Sequence, residues 1–307
     1  MSPRTKGIVI ALIATSVWAT TGLFIDYLLD NYNIQKLTLA FWRDFMITVG
    51  LIVLLSLTQR QALRIRRRDV PFFLAYGFFG LAIFNALWTY SVGFNGPAVA
   101  MVLAFSSPAF TVLLAWPFLK EALTGRKMMA VVLSLTGCAL VAEAYSPEVW
   151  QVNTLGIVIG LGTGLAFAFY NLAGRWSSGR FPSAWTVTLY GFMFASLGLS
   201  LTQGPDTLFT MGTEWDGWII LAILSLGPSL IGYSLYTLSL RYLQAGTAGL
   251  IATLEPAFTA IMAIFIVPDK QLGAVQWLGT GLILAAVVLA QLDAPNVKRQ
   301  TTPAIAD

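Results

Sequence analysis

Leu254-Glu255-Pro256-Ala257-Phe258-Thr259 repeats, from its proline onward, the run Ser107-Pro108-Ala109-Phe110-Thr111 found 148 residues earlier. Both copies lie inside long apolar segments, where a proline frees a backbone carbonyl and a charge is costly. Further matches flank them. Gly7-Ile8-Val9-Ile10 recurs as Gly156-Ile157-Val158-Ile159 at an offset of 149, with Leu12 answered by Leu161 and Ala19 by Ala168. Phe45-Met46 is answered by Phe192-Met193 at an offset of 147. Three matches at nearly constant offset define an internal repeat, with halves of residues 1–146 and 147–307.

The solvent of these halves is lipid. Of 307 residues, 57% are hydrophobic and 10% charged, and the mean hydropathy is +0.75, which leaves too little charge to cover a water-soluble surface. A spanning helix needs roughly 20 apolar residues. Such stretches predict spans at 7–28, 37–57, 70–92, 97–119, 127–145, 154–174, 183–203, 216–240, 246–268 and 273–292. The first is too long for a signal peptide, has no A-x-A cleavage pattern after it and recurs later in the chain, so it is expected to be retained.

Composition also removes several chemistries. Cys138 is the only cysteine, so no intramolecular disulfide can form. With no histidine, zinc sites, histidine-based triads and histidine proton relays are excluded. No G-x-x-x-x-G-K-[ST] run is present, so no P-loop ATP hydrolysis is expected. The net charge of +4 and pI near 9.2 do not point to nucleic acid, because the basic residues sit in loops beside the spans. No metal or cofactor is expected, and the expected partners are a small-molecule substrate and membrane lipid, in a monomer or homodimer.

Those basic residues set the orientation. With the N-terminus inside, fifteen of the 18 fall on the inner side: Arg4, Lys6, Arg60, Arg64, Arg66, Arg67, Arg68, Lys120, Arg126, Lys127, Arg175, Arg180, Arg241, Lys298 and Arg299. Only Lys36 and Lys270 fall outside, and Arg43 lies within a span. Both termini are therefore expected in the cytoplasm. Five spans per half is an odd number, so the second half must be inverted relative to the first. The basic loop Lys120–Lys127 and its nearly neutral mate around Asp269-Lys270 agree. The expected fold is an all-α membrane protein of ten transmembrane helices in two inverted five-helix repeats, a plan that places a substrate site near the midplane between the halves. Gly156, Gly160 and Gly164 form two G-x-x-x-G steps, matched by Gly7, Ala11 and Thr15; they serve close packing or a sliding surface.

Trp88-Thr89-Tyr90, Ser107-Pro108-Ala109-Phe110-Thr111 and Leu119-Lys120-Glu121, with Tyr233 and Leu254–Thr259 in the second half, resemble the paired EamA domains of the drug/metabolite transporter superfamily. Arg43 matches an arginine often found in the second span of such proteins. The resemblance covers essentially the whole chain and comes nearest to aromatic-amino-acid exporters of the YddG type. Asp269-Lys270 departs from the usual acidic ending after the ninth span, and no role is assigned there. The resemblance implies a multi-pass carrier of the bacterial inner membrane, usually an exporter of amino acids or related metabolites.

Charges within spans are functional candidates. Glu255 beside Pro256 is either a gating, proton-responsive carboxylate or a group tied to a neighbouring helix; its mate is Ser107 beside Pro108. Arg43 and Asp44 lie some six residues inside the second span. Arg43 either snorkels to the surface, meets a substrate carboxylate or pairs with an acidic side chain. Asn85, Trp88 and Thr89 share a face of the third span, and their mates are Tyr233, Tyr236 and Thr237. The two faces are expected to meet across the midplane, joined by Trp18, Tyr170 and Asn171. Trp88, Tyr233 and Tyr236 are thus expected to line a pocket with Asn85 and Ser107, unless individual rings face lipid. Trp150, Trp215, Trp218 and Trp277 are assigned to the interfacial belt. Candidate functions are alternating-access export of amino acids or similar metabolites, efflux of hydrophobic or cationic drugs, and a channel. A membrane-embedded enzyme lacks support, because no span carries a nucleophile beside a base.

Overall fold

Ser2 opens the first helix. Its hydroxyl accepts from Thr5 N–H at 3.1 Å, and Pro3 takes a first-turn position where a missing N–H costs nothing. The computed structural model describes residues 1–144, 146, 154–266 and 273–293. Trp150, Asp269, Lys270, Lys298 and Arg299 lie outside the described residues.

Helix α1 (Pro3–Trp18) breaks at Ala19-Thr20 before α2 (Thr21–Asn31). Threonine hydroxyls take up the carbonyls released there: Thr20 donates to Val17 O at 2.8 Å, Thr21 to Trp18 O at 2.7 Å and Thr259 to Ala19 O at 3.0 Å. Helix α3 (Lys36–Thr58) is unbroken. Helix α4 (Val70–Gly77) passes through a π-turn, Phe78–Ala82, into α5 (Ile83–Ala104). Helix α6 (Ser107–Leu119) is followed by α7 (Gly125–Val141), which Thr124 caps. The second half holds α8 (Thr154–Ser178), α9 (Ala184–Ser200), the short α10 (Pro205–Leu208) and α11 (Trp215–Leu224). A second π-turn, Ser225–Ser229, leads to α12 (Leu230–Ser239), then α13 (Ala245–Ala252), α14 (Glu255–Ile266) and α15 (Ala274–Asp293). Eight of the described helical stretches are long and apolar enough to cross a membrane, and α9 is a shorter apolar helix. With α7, this is an all-helical membrane protein of eight to ten apolar helices.

The halves repeat the same irregularities. The π-turns begin 147 residues apart, at Phe78 and Ser225. In the second, Pro228 lacks an N–H and clashes one turn back, which accounts for the bulge. The fourth and ninth spans both break just before Pro108 and Pro256, each with a tight turn: Ser106 N–H to Leu103 O and Leu254 N–H to Ile251 O, both at 3.1 Å. Packing repeats as well. Helix α1 packs on α12 as α8 packs on α5, while α3 meets its mate α9 and α7 meets its mate α15. The last pair touches through Gly137 and Gly279, where a Cβ on either would lie 2.7 Å from the carbonyl oxygen of the other.

The glycine steps serve packing. A Cβ on Gly160 would meet Leu103 at 2.5 Å and Ser91 Oγ at 2.9 Å, and one on Gly164 would strike Ser106. Gly156 faces Asn95 while Gly160 faces both Ser91 and Leu103, so the stretch named α5 folds back between its two apolar parts, one ending at Asn95 and the next beginning at Val99. Ala11, Thr15 and Trp18 line the buried face of α1. Among the belt residues, Trp215 and Trp277 are exposed. Trp218 instead packs edge-on against Trp42 at 5.1 Å and donates to Gly212 O at 3.2 Å.

Candidate functional site

A cavity of about 400 Å³ lies between the halves, within the range of about 300–1,000 Å³ usual for small-molecule sites. It runs from the exposed Lys36 at one face down to the proline breaks of the fourth and ninth spans. Its walls are Trp18, Phe84, Trp88, Phe105, Phe167 and Tyr233, with Thr21, Asn85, Thr89, Ser107, Ser229, Thr259, Arg43 and Glu255 as polar groups. Pro108 and Pro256 cannot donate to the carbonyls of Ala104 and Ala252, and both of these alanines line the cavity.

Arg43 does not snorkel. Its side chain is 10% exposed; Nε and Nη2 each donate to Asp44 Oδ1 at 3.3 Å, and Nη2 also donates to Asn85 Oδ1 at 3.1 Å. Asn85 Nδ2 donates in turn to Asp44 Oδ2 at 3.2 Å. The triad closes on itself, and it leaves Nη1 without a hydrogen-bond partner among the described residues on a side chain that lines the cavity. Asp44 lies behind it, fully buried. Glu255 opens α14 and faces the cavity, with no hydrogen bond or ion pair among the described residues. A carboxylate there sits at the positive end of the helix dipole. The Tyr233 hydroxyl lies within electrostatic range of Arg43, Asp44 and Glu255. Trp18 Nε1 and Ser229 Oγ, both on the cavity wall, are buried without a partner among the described residues.

Beneath the cavity the chain is sealed. Tyr236 OH donates to Asn171 Oδ1 at 2.8 Å, and Asn171 Nδ2 donates to Thr111 Oγ1 at 3.2 Å. Tyr170 and Thr237 share a hydroxyl–hydroxyl bond at 2.9 Å, and Tyr76 stacks on Tyr170 at 5.1 Å. Of the residues singled out in the sequence, Trp18, Arg43, Asn85, Trp88, Ser107, Tyr233, Glu255 and Pro256 therefore line the cavity. Tyr170, Asn171 and Tyr236 belong to the seal, and Asp44 and Pro108 stand behind the wall. Tyr236 was expected on the wall but is fully buried, because its hydroxyl reaches inward to Asn171. Ser229, Phe84 and Phe167 escaped sequence reasoning. Phe167 had a signal, as the repeat mate of Trp18; Ser229 had none.

The sequence profile of the EamA-like transporter family matches residues 5–142 and 154–292, nearly the whole chain. The chain belongs to the EamA-like transporter family. It is similar to the uncharacterized inner membrane transporter YicL of Salmonella typhimurium, with 26% identity over 95% of this chain and 97% of that one. It is also similar to the uncharacterized transporter YwfM of Bacillus subtilis, at 26% identity over 95% of both chains. One solved crystal structure matches with a TM-score of 0.75 at 17% identity, covering 95% of this chain and 99% of the other, a likeness of fold. These family relatives are transporters and not enzymes. A transporter of this family implies a small-molecule substrate, and the cavity between the halves is the candidate place for it.

Proposed function

We propose that this protein is a secondary carrier of the bacterial inner membrane that exports amino acids, aromatic or large neutral ones foremost, or related metabolites by alternating access. The observation that carries this is the cavity itself. Below Lys36 at its mouth, it holds the buried cation Arg43, whose Nη1 has no hydrogen-bond partner among the described residues, and the carboxylate Glu255, likewise without one, among six aromatic residues. A zwitterion presents the complementary charges to those two groups, and a bulky apolar side chain suits the ring walls. The kinship with YicL, named an inner membrane transporter, supports the location. The family resemblance supports export and the aromatic-amino-acid subgroup.

The halves, residues 1–146 and 147–307, are proposed to be inverted repeats of five spans each, with both termini cytoplasmic. The repeated π-turns and proline breaks support the repeat. The charge bias supports the orientation, and two of the basic segments lie by the seal: Arg175 donates to Leu240 O just after α12, and Glu121 in the Lys120–Lys127 loop bonds Ala245 N–H. The cavity is then open to the outside and closed to the cytoplasm.

Counterflow in proteoliposomes, across amino acids and organic cations, tests this. Saturable exchange of large neutral amino acids, weakened by Glu255→Gln, is the expected result. Efflux of hydrophobic cations is the second reading, favoured by an unpaired Glu255 in an aromatic cavity. It prevails if cations lacking a carboxylate exchange as well as zwitterions do. Flux without counterflow would indicate a channel.

A further inference from the structure

At the face opposite the cavity mouth, a carboxylate from the first half reaches across to the second. Lys120 adopts a left-handed conformation, φ 55°, which ends α6 and lets Glu121 N–H bond back to Ala115 O at 3.1 Å. Such a φ is costly for a residue with a Cβ. Here it turns the Glu121 side chain inward, where only 8% of the residue is exposed. Glu121 Oε1 accepts from the N–H of Ala245, the first residue of α13, at 2.8 Å. Gly246 seats α13 on α6, since a Cβ there would lie 2.8 Å from Val112 Cγ2. Lys127 of α7 and Arg175 of α8 are the cations within range of Glu121. Lys127 Nζ also donates to Ala122 O at 2.7 Å and Arg175 Nη1 to Leu240 O at 2.8 Å.

We infer that the Glu121–Ala245 contact is a conformational latch: it holds the α6–α7 loop of the first half on the N-terminus of α13 in the second, and it must release before this face can open. Every residue of α13 from Ala245 to Ala252 is buried, so its first N–H groups have no water to turn to while the face is closed. Glu121 supplies the acceptor from the opposite half, which makes closure of the halves and capping of the helix one event. Beyond the tyrosine seal, this is a second, peripheral closure on the same side of the cavity. The inference rests on alternating access as proposed above, but not on any substrate.

The test uses full-length protein in proteoliposomes, with Cys138→Ala to remove the native thiol. Two single reporters are compared: Ser239→Cys, fully buried on the closed face, and Thr89→Cys on the cavity wall. Loss of a helix cap should move an equilibrium by about fivefold. Glu121→Ala should therefore speed thiol labelling at position 239 by about that factor and slow it at position 89. Glu121→Gln keeps an oxygen acceptor for Ala245 N–H and should restore the parental rates at both. Rates unchanged at both positions, or raised together as in general loosening, would overturn the latch. So would a Gln variant that behaves like Ala. Tyr236→Ala, which removes the seal itself, separates the two levels of the claim. A reciprocal shift in Tyr236→Ala but not in Glu121→Ala sinks the latch alone, whereas no reciprocal shift in either sinks alternating access with it.

Discussion

Arg43 enters a low-dielectric interior with its charge already answered by Asp44 and with Asn85 holding the pair together. An arginine so placed is aimed, because Nε and Nη2 are committed to the triad while the side chain lines the cavity. Asn85 is then a positioning residue for Arg43. We expect Asn85→Ala to raise KM for substrates with a free carboxylate by about tenfold, the loss typical of a hydrogen bond to a charged group. The corresponding decarboxylated amines should be nearly unaffected. Equal losses for acids and amines in counterflow would remove Arg43 from substrate recognition. The rings make a different prediction. Trp88 lines the cavity, whereas Tyr236 bonds to Asn171 beneath it. Trp88→Ala should weaken transport of aromatic and large aliphatic substrates more than small ones, by up to about tenfold for a lost ring contact. Tyr236→Ala should affect all substrates alike, because it breaks the seal. Substrate-dependent losses in Tyr236→Ala would put that ring back on the cavity wall. The sequence alone could not separate these two tyrosine and tryptophan roles, since Trp88 and Tyr236 are repeat mates of the same aromatic type.

Among elements, those shaped by their own residues were legible and those shaped by neighbours were not. Pro108 and Pro256 announce the breaks in the fourth and ninth spans through a missing N–H. Glycine steps along α8 announce a close contact without naming its partner, the reversing chain around Asn95 and Leu103. The break at Ala19-Thr20 carries no glycine or proline, and the apolar run over 7–28 predicts a continuous helix there. The support for the break is partly tertiary, since Thr259 on α14 joins the local Thr20 and Thr21 in taking up the released carbonyls. The π-turn at Phe78–Ala82 likewise has no proline, unlike its mate with Pro228. The loop carboxylate Glu121 belongs with this second group, because its partner lies 124 residues away. Burial pushes its carboxyl above the usual carboxylate range, against lowering by Ala245 N–H and by the more distant Lys127 and Arg175. The closed face therefore binds a proton more tightly than a hydrated, open one. The resulting advantage for closure is present at acid pH and is lost as pH rises through the raised value. Acidifying that side should shift the protein toward the closed face, read as a shortened distance between spin labels spanning it. Glu121→Gln should flatten the dependence. An opposite slope, or the same slope in Glu121→Gln, would assign the response to another group.

At the scale of the whole molecule, some repeat mates do opposite work. Tyr236 and Thr237 seal one face, while their mates Trp88 and Thr89, 148 residues earlier, stand open on the cavity wall. Tyr170 and Asn171 complete the seal, while their mates Thr21 and Gly22, 149 residues earlier, also line the cavity. Orientation is checked first: Arg64→Cys should resist an impermeant thiol reagent in intact cells, and labelling from outside would overturn a cytoplasmic α3–α4 loop. If the halves exchange roles, the open face closes by bringing Thr21 toward Thr89, as Tyr170 now meets Thr237 at 2.9 Å. Thr21 lacks the ring with which Tyr170 spans its gap, so contact should leave a space that a short bifunctional thiol reagent can bridge. Thr21→Cys with Thr89→Cys, in a Cys138→Ala background, should cross-link slowly in the parent, whose cavity is open at those positions. Adding Tyr236→Ala, which removes the opposite seal, should speed the reaction severalfold, and the bridged protein should lose counterflow. A cross-link that forms equally fast with and without the seal, or that leaves counterflow intact, would mean that the two faces do not close in turn.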